Sequence, residues 1–147
     1  MDKKIPLTLL LFALLYFGIG VLLPTAPFGL RRNVTESLPT KFFLKTPLQK
    51  VTRGEFVELS HPESSALLAK QVIGVAGDLI AVKEGEFFIN DEKKGTILKK
   101  LLPVEEGTIP ADHVFVYASH PESFDSRYQR FGLVHIDQLE GRLWPLF

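Results

Sequence analysis

The sequence predicts a mainly β fold, a folded sheet or barrel, preceded by an apolar N-terminal segment that spans a membrane. Two observations carry this prediction. Residues 5–30 contain no charged side chain, and the rest of the chain alternates short runs rich in Phe, Val and Ile with turn residues. The chain has 147 residues, so about 115 of them form one domain of ordinary size after the apolar segment.

The apolar N-terminal segment is long enough to cross a bilayer as a helix. At about 1.5 Å per residue, roughly 20 helical residues cross a hydrocarbon core of about 30 Å. Pro24 and Pro27 then end the helix, because proline lacks a backbone donor and restricts the residue before it. We expect a cytoplasmic tail at residues 1–4, a transmembrane anchor at 5–23, a linker at 24–32 and the folded domain at 33–147.

The orientation of the anchor does not follow from charge alone, since Lys3 and Lys4 precede it and Arg31 and Arg32 follow it. Only four residues precede the apolar segment, so we expect the N-terminus to be cytoplasmic. A cleaved signal peptide is the alternative. The candidate cleavage region, residues 23–27, contains two prolines, which disfavour cleavage and favour a retained anchor.

Six short segments after the anchor are predicted strands. They are Lys41–Thr46, Glu55–Leu59, Lys70–Val75, Leu79–Val82, Glu86–Ile89 and His113–Ala118, and Gly, Pro, Asn and Asp bound them. Ser64–Ala69 is compatible with a short turn of helix. The pentapeptide Ser-His-Pro-Glu-Ser occurs at 60–64 and at 119–123, and with no similarity around the two copies we interpret the repeat as coincidence.

Composition excludes several classes of function. The chain has no cysteine, which excludes disulfides, thiol catalysis and Cys-ligated metals. Its net charge is zero and it has no local basic patch, so no nucleic-acid partner is expected. The four histidines lack the close helical spacing of a zinc motif and are interpreted as surface or loop residues; we expect no metal and no cofactor. A hydroxyl nucleophile served by a lysine remains.

Two segments offer such a pair. Ser37 lies in Asn33–Pro39, directly after the apolar segment, and Lys70 opens an apolar strand. To act as a base at neutral pH, the lysine pKa must fall from about 10.4 to about 7–8, and burial among Leu68, Val72 and their neighbours is the available means. The alternative is a lysine on an edge strand with its amine in solvent, and the alternation of apolar and polar residues taken alone favours this alternative.

Four segments resemble motifs of the signal peptidase I superfamily, whose lysine motif usually reads Lys-Arg-Val-Ile-Gly-Leu-Pro-Gly-Asp. They are Arg53–Val57 (Arg-Gly-Glu-Phe-Val), Lys70–Asp78 (Lys-Gln-Val-Ile-Gly-Val-Ala-Gly-Asp), Ile89–Asp91 (Ile-Asn-Asp), and Ser123–Tyr128 (Ser-Phe-Asp-Ser-Arg-Tyr) followed by Gly132–Val134. The four occur in the family's order and cover nearly the whole chain behind the anchor. The resemblance implies a signal-peptidase-like folded sheet or barrel, with 33–147 as the peptidase domain.

The nucleophile region is similar to that of TraF-like peptidases of conjugative transfer. Asn33-x-Thr35-x-Ser37-x-Pro39 matches their pattern, whereas housekeeping signal peptidases carry Ser-Met-x-Pro. Two departures exist. Lys41 and Phe43 stand where TraF-like enzymes usually have glycine and tyrosine, and residues 118–122 replace the Gly-Asp-Asn-Arg-Asp run of the housekeeping type.

The resemblance also implies the role of each site residue. Ser37 would be the nucleophile and Lys70 the general base, with the hydroxyl of Thr35 and the backbone N–H of Ser37 as the oxyanion hole. Ser123 would orient the lysine amine. Asp125 and Arg127 would form a structural ion pair beneath the site.

The implied enzyme is a serine endopeptidase of the bacterial inner membrane, with its catalytic domain on the periplasmic side. Its expected substrate is a membrane-inserted precursor, most specifically a pilin, and its expected partners are the lipid bilayer and the conjugation or secretion apparatus. Two alternatives stay open: a minimal type I leader peptidase, and a non-catalytic anchored β-domain of a secretion channel.

Overall fold

The computed structural model describes Thr8, Leu11, 28–33 and 38–147. Apart from Thr8 and Leu11, the predicted anchor at 5–23 lies outside these residues. In the described part of the chain, no helix has the length and hydrophobicity needed to span a bilayer.

The described residues form a mainly β fold with eleven strands and one short 3-10 helix. The strands are β1 (Gly29–Arg32), β2 (Phe42–Thr46), β3 (Phe56–Ser60), β4 (Leu67–Gly74), β5 (Leu79–Lys83), β6 (Glu86–Ile89), β7 (Glu92–Thr96), β8 (Gly107–Thr108), β9 (His113–Tyr117), β10 (Val134–His135) and β11 (Leu139–Pro145). The 3-10 helix, Ile136–Gln138, lies between β10 and β11. This architecture confirms the predicted mainly β class.

The strands form two antiparallel sheets. The larger has the order β1-β2-β11-β3-β4-β9-β10, and the smaller has the order β7-β6-β5-β8. One apolar core lies on the larger sheet around Val57, Val72 and Val116. A second core joins the two sheets, where the rings of Phe87 and Phe115 stack with centroids 5.5 Å apart. The site described below lies on the larger sheet.

The six predicted strands are confirmed, with ends that differ by up to three residues. The prediction of a helical turn at Ser64–Ala69 is wrong, because Leu67–Ala69 pair with Leu59, Glu58 and neighbouring positions of β3 as the start of β4. Five further strands, β1, β7, β8, β10 and β11, were not predicted. Of these, β1 lies within the segment 24–32 expected to be a linker.

The two copies of Ser-His-Pro-Glu-Ser fold into the same turn, which the interpretation as coincidence did not anticipate. In the first copy, the Nδ1 atom of His61 accepts from the backbone N–H of Glu63 at 3.0 Å, and the His61 carbonyl accepts from the Ser64 amide at 3.3 Å. In the second copy the same two bonds join His120 to Glu122 at 3.2 Å and to Ser123 at 3.0 Å. The pentapeptide therefore fixes its local conformation in two different surroundings.

Candidate active site

Lys70 lies near the middle of β4 with its side chain in the interior. It pairs with Val57 of β3, and directly opposed residues share a face of the sheet. Val72, two residues further along, lies on that face as well, and both valines belong to the core. Only 3% of Lys70 is exposed. The alternative of an edge-strand lysine with a solvated amine is therefore wrong.

The buried amine of Lys70 donates a hydrogen bond to Oγ of Ser123 at 2.6 Å. Burial lowers the pKa of Lys70 to about 8; the negative charge of Asp125 opposes this shift, and the positive charge of Arg127 adds to it. A group with a pKa of 8 is about 10% neutral at pH 7, whereas an ordinary lysine is about 0.03% neutral. Lys70 thus has a substantial population of the form that accepts a proton.

Ser123 is held by a loop whose scaffold is a buried ion pair. Nε of Arg127 donates to Oδ1 of Asp125 at 2.8 Å, and both side chains are almost wholly buried. Nη2 of Arg127 also donates to the carbonyls of Ser123 and His120, each at 3.0 Å, while Oδ2 of Asp125 accepts from the Ala118 amide at 3.1 Å. The pair therefore connects the end of β9 to the loop that carries Ser123.

Ser37 and Thr35 lie outside the described residues, and the structure describes the chain on either side of them. The backbone N–H of Asn33 donates to the carbonyl of Lys41 at 2.7 Å, which brings the two flanks together. Leu38, the residue after Ser37, is buried in an apolar cluster against which Ala69 packs. Ala69 is the residue before Lys70.

A cavity of about 240 Å³ lies beside Lys70. The first half of β4, Leu67–Lys70, forms one wall, and Arg31, Glu58 and Leu143 contribute to the rest. In the described chain, Leu67–Lys70 pair with β3 on one side, whereas pairing with β9 begins only at Gln71. Among the residues that the structure describes, this half of β4 therefore has no strand paired to its second edge, which lies next to the cavity.

A cluster of three charged side chains, two of which line this cavity, was not identified from the sequence. Glu58 of β3 is buried and forms ion pairs with Arg31 of β1, at 2.8 Å, and with Lys45 of β2. Each of the three occupies an ordinary position in an alternating strand. No local pattern in the sequence indicates that their charges meet.

Three of the segments that resemble family motifs meet at Asp78, in the turn between β4 and β5. Oδ1 of Asp78 accepts from Nη2 of Arg53 at 2.7 Å and from Nδ2 of Asn90 at 2.8 Å, while Oδ2 accepts from the Val75 amide at 2.7 Å. These segments therefore have a structural role in joining the two sheets. The described residues contain no group of three or more His, Asp or Glu side chains placed to hold a metal ion.

Comparison with known proteins identifies the family. Residues 4–146 match the family model described as signal peptidase, peptidase S26. The chain belongs to this peptidase family. The match confirms the resemblance to the signal peptidase I superfamily.

Among solved structures, a signal peptidase I from Enterococcus faecalis is similar to this chain. The two are 23% identical, the alignment covers 66% of this chain and 99% of that one, and the TM-score is 0.48. A comparison with curated proteins gave no match.

Proposed function

We propose that this protein is a membrane-anchored serine endopeptidase in which Ser37 is the nucleophile and Lys70 is the general base. The observation that carries the proposal is the buried amine of Lys70, 2.6 Å from Oγ of Ser123, with a pKa lowered to about 8. A lysine amine withdrawn from water and bound to a hydroxyl is suited to accept a proton from a neighbouring serine. Membership of the signal peptidase family supports the same chemistry.

In the proposed mechanism, Oγ of Ser37 attacks the scissile carbonyl as neutral Lys70 takes its proton. The backbone N–H of Ser37 and the hydroxyl of Thr35 stabilise the resulting oxyanion, and one such donor contributes about 3–4 kcal/mol. Lys70, now an ammonium, protonates the leaving amine as the peptide bond breaks. Neutral Lys70 then takes a proton from water as the water oxygen attacks the acyl-enzyme carbonyl, and it returns this proton to Oγ of Ser37 as the ester bond breaks.

Ser123 has a distinct part in this scheme. Its hydroxyl oxygen accepts one N–H of Lys70, which fixes the rotation of the amine about its Cε–Nζ bond. The lone pair of the neutral amine then has one direction instead of several, and proton transfer needs no reorientation. The buried ion pair of Asp125 and Arg127 supports Ser123 indirectly, because Arg127 binds the Ser123 carbonyl and so fixes the loop.

We infer that the substrate binds in extended form along the edge of β4 that lies next to the cavity. The backbone groups of Leu67–Lys70 offer a row of donors and acceptors for an added strand, and the cavity beside them receives the substrate side chains that point toward the sheet. Residues 5–30 carry no charge, so the proposed anchor keeps this edge near the membrane. A membrane-inserted precursor presents its cleavage site at that level.

The substrate we favour is a pilin precursor of a conjugation system. The supporting feature is Asn33-x-Thr35-x-Ser37-x-Pro39, which resembles the TraF-like pattern and has one residue between serine and proline. A minimal type I leader peptidase is the second candidate, since family membership supports a precursor protein of either kind. On either candidate, the proposed location is the inner membrane with the catalytic domain outside the cytoplasm.

Co-expression of the protein with a pilin precursor tests the proposed dyad. We expect Ser37→Ala and Lys70→Ala each to abolish processing while leaving the β-sheet circular dichroism unchanged. Ser64→Ala and Lys100→Ala, at exposed positions, are the matched controls and should process normally. Processing retained in either dyad variant would overturn the assignment of Ser37 and Lys70, whereas no processing by the unsubstituted protein would favour the non-catalytic β-domain.

The two substrate classes are separated by a complementation experiment. If the protein is a general leader peptidase, it rescues export in cells depleted of their own leader peptidase. The pilin-specific enzyme does not rescue export, yet it processes the pilin precursor in the same cells.

A further inference from the structure

The second Ser-His-Pro-Glu-Ser turn carries Ser123, and its geometry points beyond the residues assigned so far. The His120 side chain lies at the surface, and its Nδ1 atom accepts from the amide of Glu122 at 3.2 Å. The His120 carbonyl accepts from the Ser123 amide and from Nη2 of Arg127, both at 3.0 Å. The His120 side chain thus closes this turn at the surface, and Arg127 binds the same turn from the buried side through the carbonyls of His120 and Ser123.

We propose that His120 is a positioning residue for Ser123 and, through it, for the amine of Lys70. This inference rests on the proposed function, because it assigns a further residue to the same site. The imidazole does not contact Lys70. It closes the turn that begins at its own residue and ends at Ser123, whose hydroxyl lies 2.6 Å from Nζ.

The physical reason is that a hydrogen bond of 2.6 Å tolerates little displacement of either partner. Without the imidazole acceptor, the Glu122 N–H turns to water and the turn samples other conformations. A displacement of Ser123 by about 1 Å frees the Lys70 amine to rotate, and misplacement of that size lowers catalytic rates substantially. Asparagine retains an acceptor for the amide two residues on, so it preserves the turn.

The first copy of the pentapeptide supplies an internal control. His61 closes the same turn with the same two bonds. That turn ends at Ser64, which is exposed and whose hydroxyl accepts from the Ala66 amide at 3.3 Å. The centroid of the His61 ring also lies 5.5 Å from that of Phe124, the residue after Ser123. His61→Ala is therefore a strict control, because it removes both the bond that closes the first turn and a ring contact next to Ser123.

The first experiment measures kcat and KM of the full-length protein on a precursor. We expect His120→Ala to lower kcat about tenfold with KM unchanged, and His120→Asn to restore kcat to within about threefold of the unsubstituted protein. His61→Ala should change kcat by less than about twofold. Equal losses in His120→Ala and His61→Ala, or no recovery in His120→Asn, would overturn the inference.

A double-mutant cycle tests whether His120 acts through Ser123. In a Ser123→Ala background, His120→Ala should cause no further loss of kcat, because the hydroxyl that it positions is already absent. If His120→Ala lowers kcat as much in the Ser123→Ala background as in the unsubstituted protein, His120 acts by another route and the inference fails.

A readout that needs no cleavage separates this inference from the proposed function. The side-chain ¹³Cε and ¹⁵Nζ resonances of Lys70 report its surroundings directly. His120→Ala should shift them and His61→Ala should not. Unchanged Lys70 resonances in His120→Ala overturn the inference even if the peptidase is active. Shifted resonances in a protein that cleaves nothing uphold it, and they place the failure in the proposed function.

Discussion

At the scale of single residues, Lys70 shows how a sheet changes the chemistry of one side chain. The alternation of β4 puts it on the inward face beside Val57 and Val72. Removal from water then lowers the pKa of its amine to about 8. The residue type and its strand were predictable from the sequence, but the burial of its amine was not. It depends on contacts from outside β4, with Val57 of the adjacent β3 and with Ser123, which lies 53 residues further along the chain.

The first prediction concerns the pH dependence of cleavage. Neutral Lys70 is the proposed base, so kcat/KM should rise about tenfold per pH unit below pH 8 and level off above it. The pKa of about 8 sets the inflection. Initial rates on a precursor peptide between pH 5.5 and 9.5 measure it. A tenfold rise per pH unit that continues to pH 9.5 without levelling off, as an ordinary lysine with a pKa of about 10.4 would give, would contradict the assignment of Lys70 as a desolvated base.

The second prediction is that Lys70→Met stabilises the fold at neutral pH. Below pH 8 the folded protein carries a buried ammonium whose burial is unfavourable. As the pH rises from 8 to 10.5 the unfolded chain binds more protons than the folded one, so this cost disappears. After the lost bond to Ser123 is subtracted, the variant should gain about 2 kcal/mol at pH 7.

Urea denaturation at pH 7 and at pH 10.5 measures this gain. It should be small at the higher pH, where Lys70 of the folded protein is neutral and the lysine of the unfolded chain has lost about half of its protons. Lys100→Met, at an exposed position, is the control and should show no such pH dependence. A Lys70→Met variant less stable than the unsubstituted protein at pH 7 would count against a buried, unfavourable charge.

At the scale of elements, local pattern predicted some strands well and others not at all. β6 was predicted with its observed bounds, because a run rich in Phe and Ile lies between the turn residues Glu84-Gly85 and Asn90-Asp91. β11 was missed although it lies between β2 and β3, since Gly141 and Pro145 weaken the strand pattern. Gly141 leaves room for β2, because a Cβ there would lie 2.6 Å from Cε of Lys45 and 3.0 Å from the Thr46 carbonyl oxygen. This constraint comes from another strand.

The turn between β4 and β5 also depends on distant residues. Asp78 receives hydrogen bonds from Arg53, Asn90 and the Val75 amide. The sequence predicted the Gly77-Asp78 turn, but not that Arg53 and Asn90 converge on it. Partial burial tends to raise the pKa of Asp78, and these three donors together bring it below its usual value.

The third prediction is that Asp78→Asn weakens the junction of the two sheets. The amide has no charge and only one acceptor oxygen, so we expect a loss of about 2 kcal/mol in unfolding free energy at pH 7. In the unsubstituted protein the same contribution is lost as the pH falls through the lowered pKa of Asp78. The variant should therefore differ less from it at pH 2 than at pH 7.

Equilibrium unfolding at the two pH values checks this prediction. Asp91→Asn is the control; Asp91 is exposed and has a φ of 63°, a conformation that asparagine also adopts. Its unfolding free energy should change by less than about 0.5 kcal/mol. If the two variants lose equal stability, the convergence on Asp78 does not join the sheets in the way described.

At the scale of the whole molecule, the larger sheet curls until strands that are not neighbours come into contact. β1 and β3 are separated in the sheet by β2 and β11, yet Nε of Arg31 lies 2.8 Å from Oε1 of Glu58. Lys45 joins the same carboxylate from β2. Glu58 therefore ties together the strands that surround the cavity beside Lys70. The sequence predicted a folded sheet or barrel, but local pattern contains no information on which strands the curl brings together.

The last prediction is that Glu58→Gln destabilises the fold strongly. It leaves Lys45, only 8% exposed, without its buried counter-ion, and removal of one partner from a buried ion pair costs about 3–5 kcal/mol. Glu63→Gln breaks the exposed pair with Arg130 and should cost less than about 1 kcal/mol. Urea denaturation at pH 7 compares the two, and equal losses would contradict the role given to Glu58. Replacing both Glu58 and Lys45 with Met removes the two buried charges together. This double variant should recover at least half of the unfolding free energy that Glu58→Gln loses.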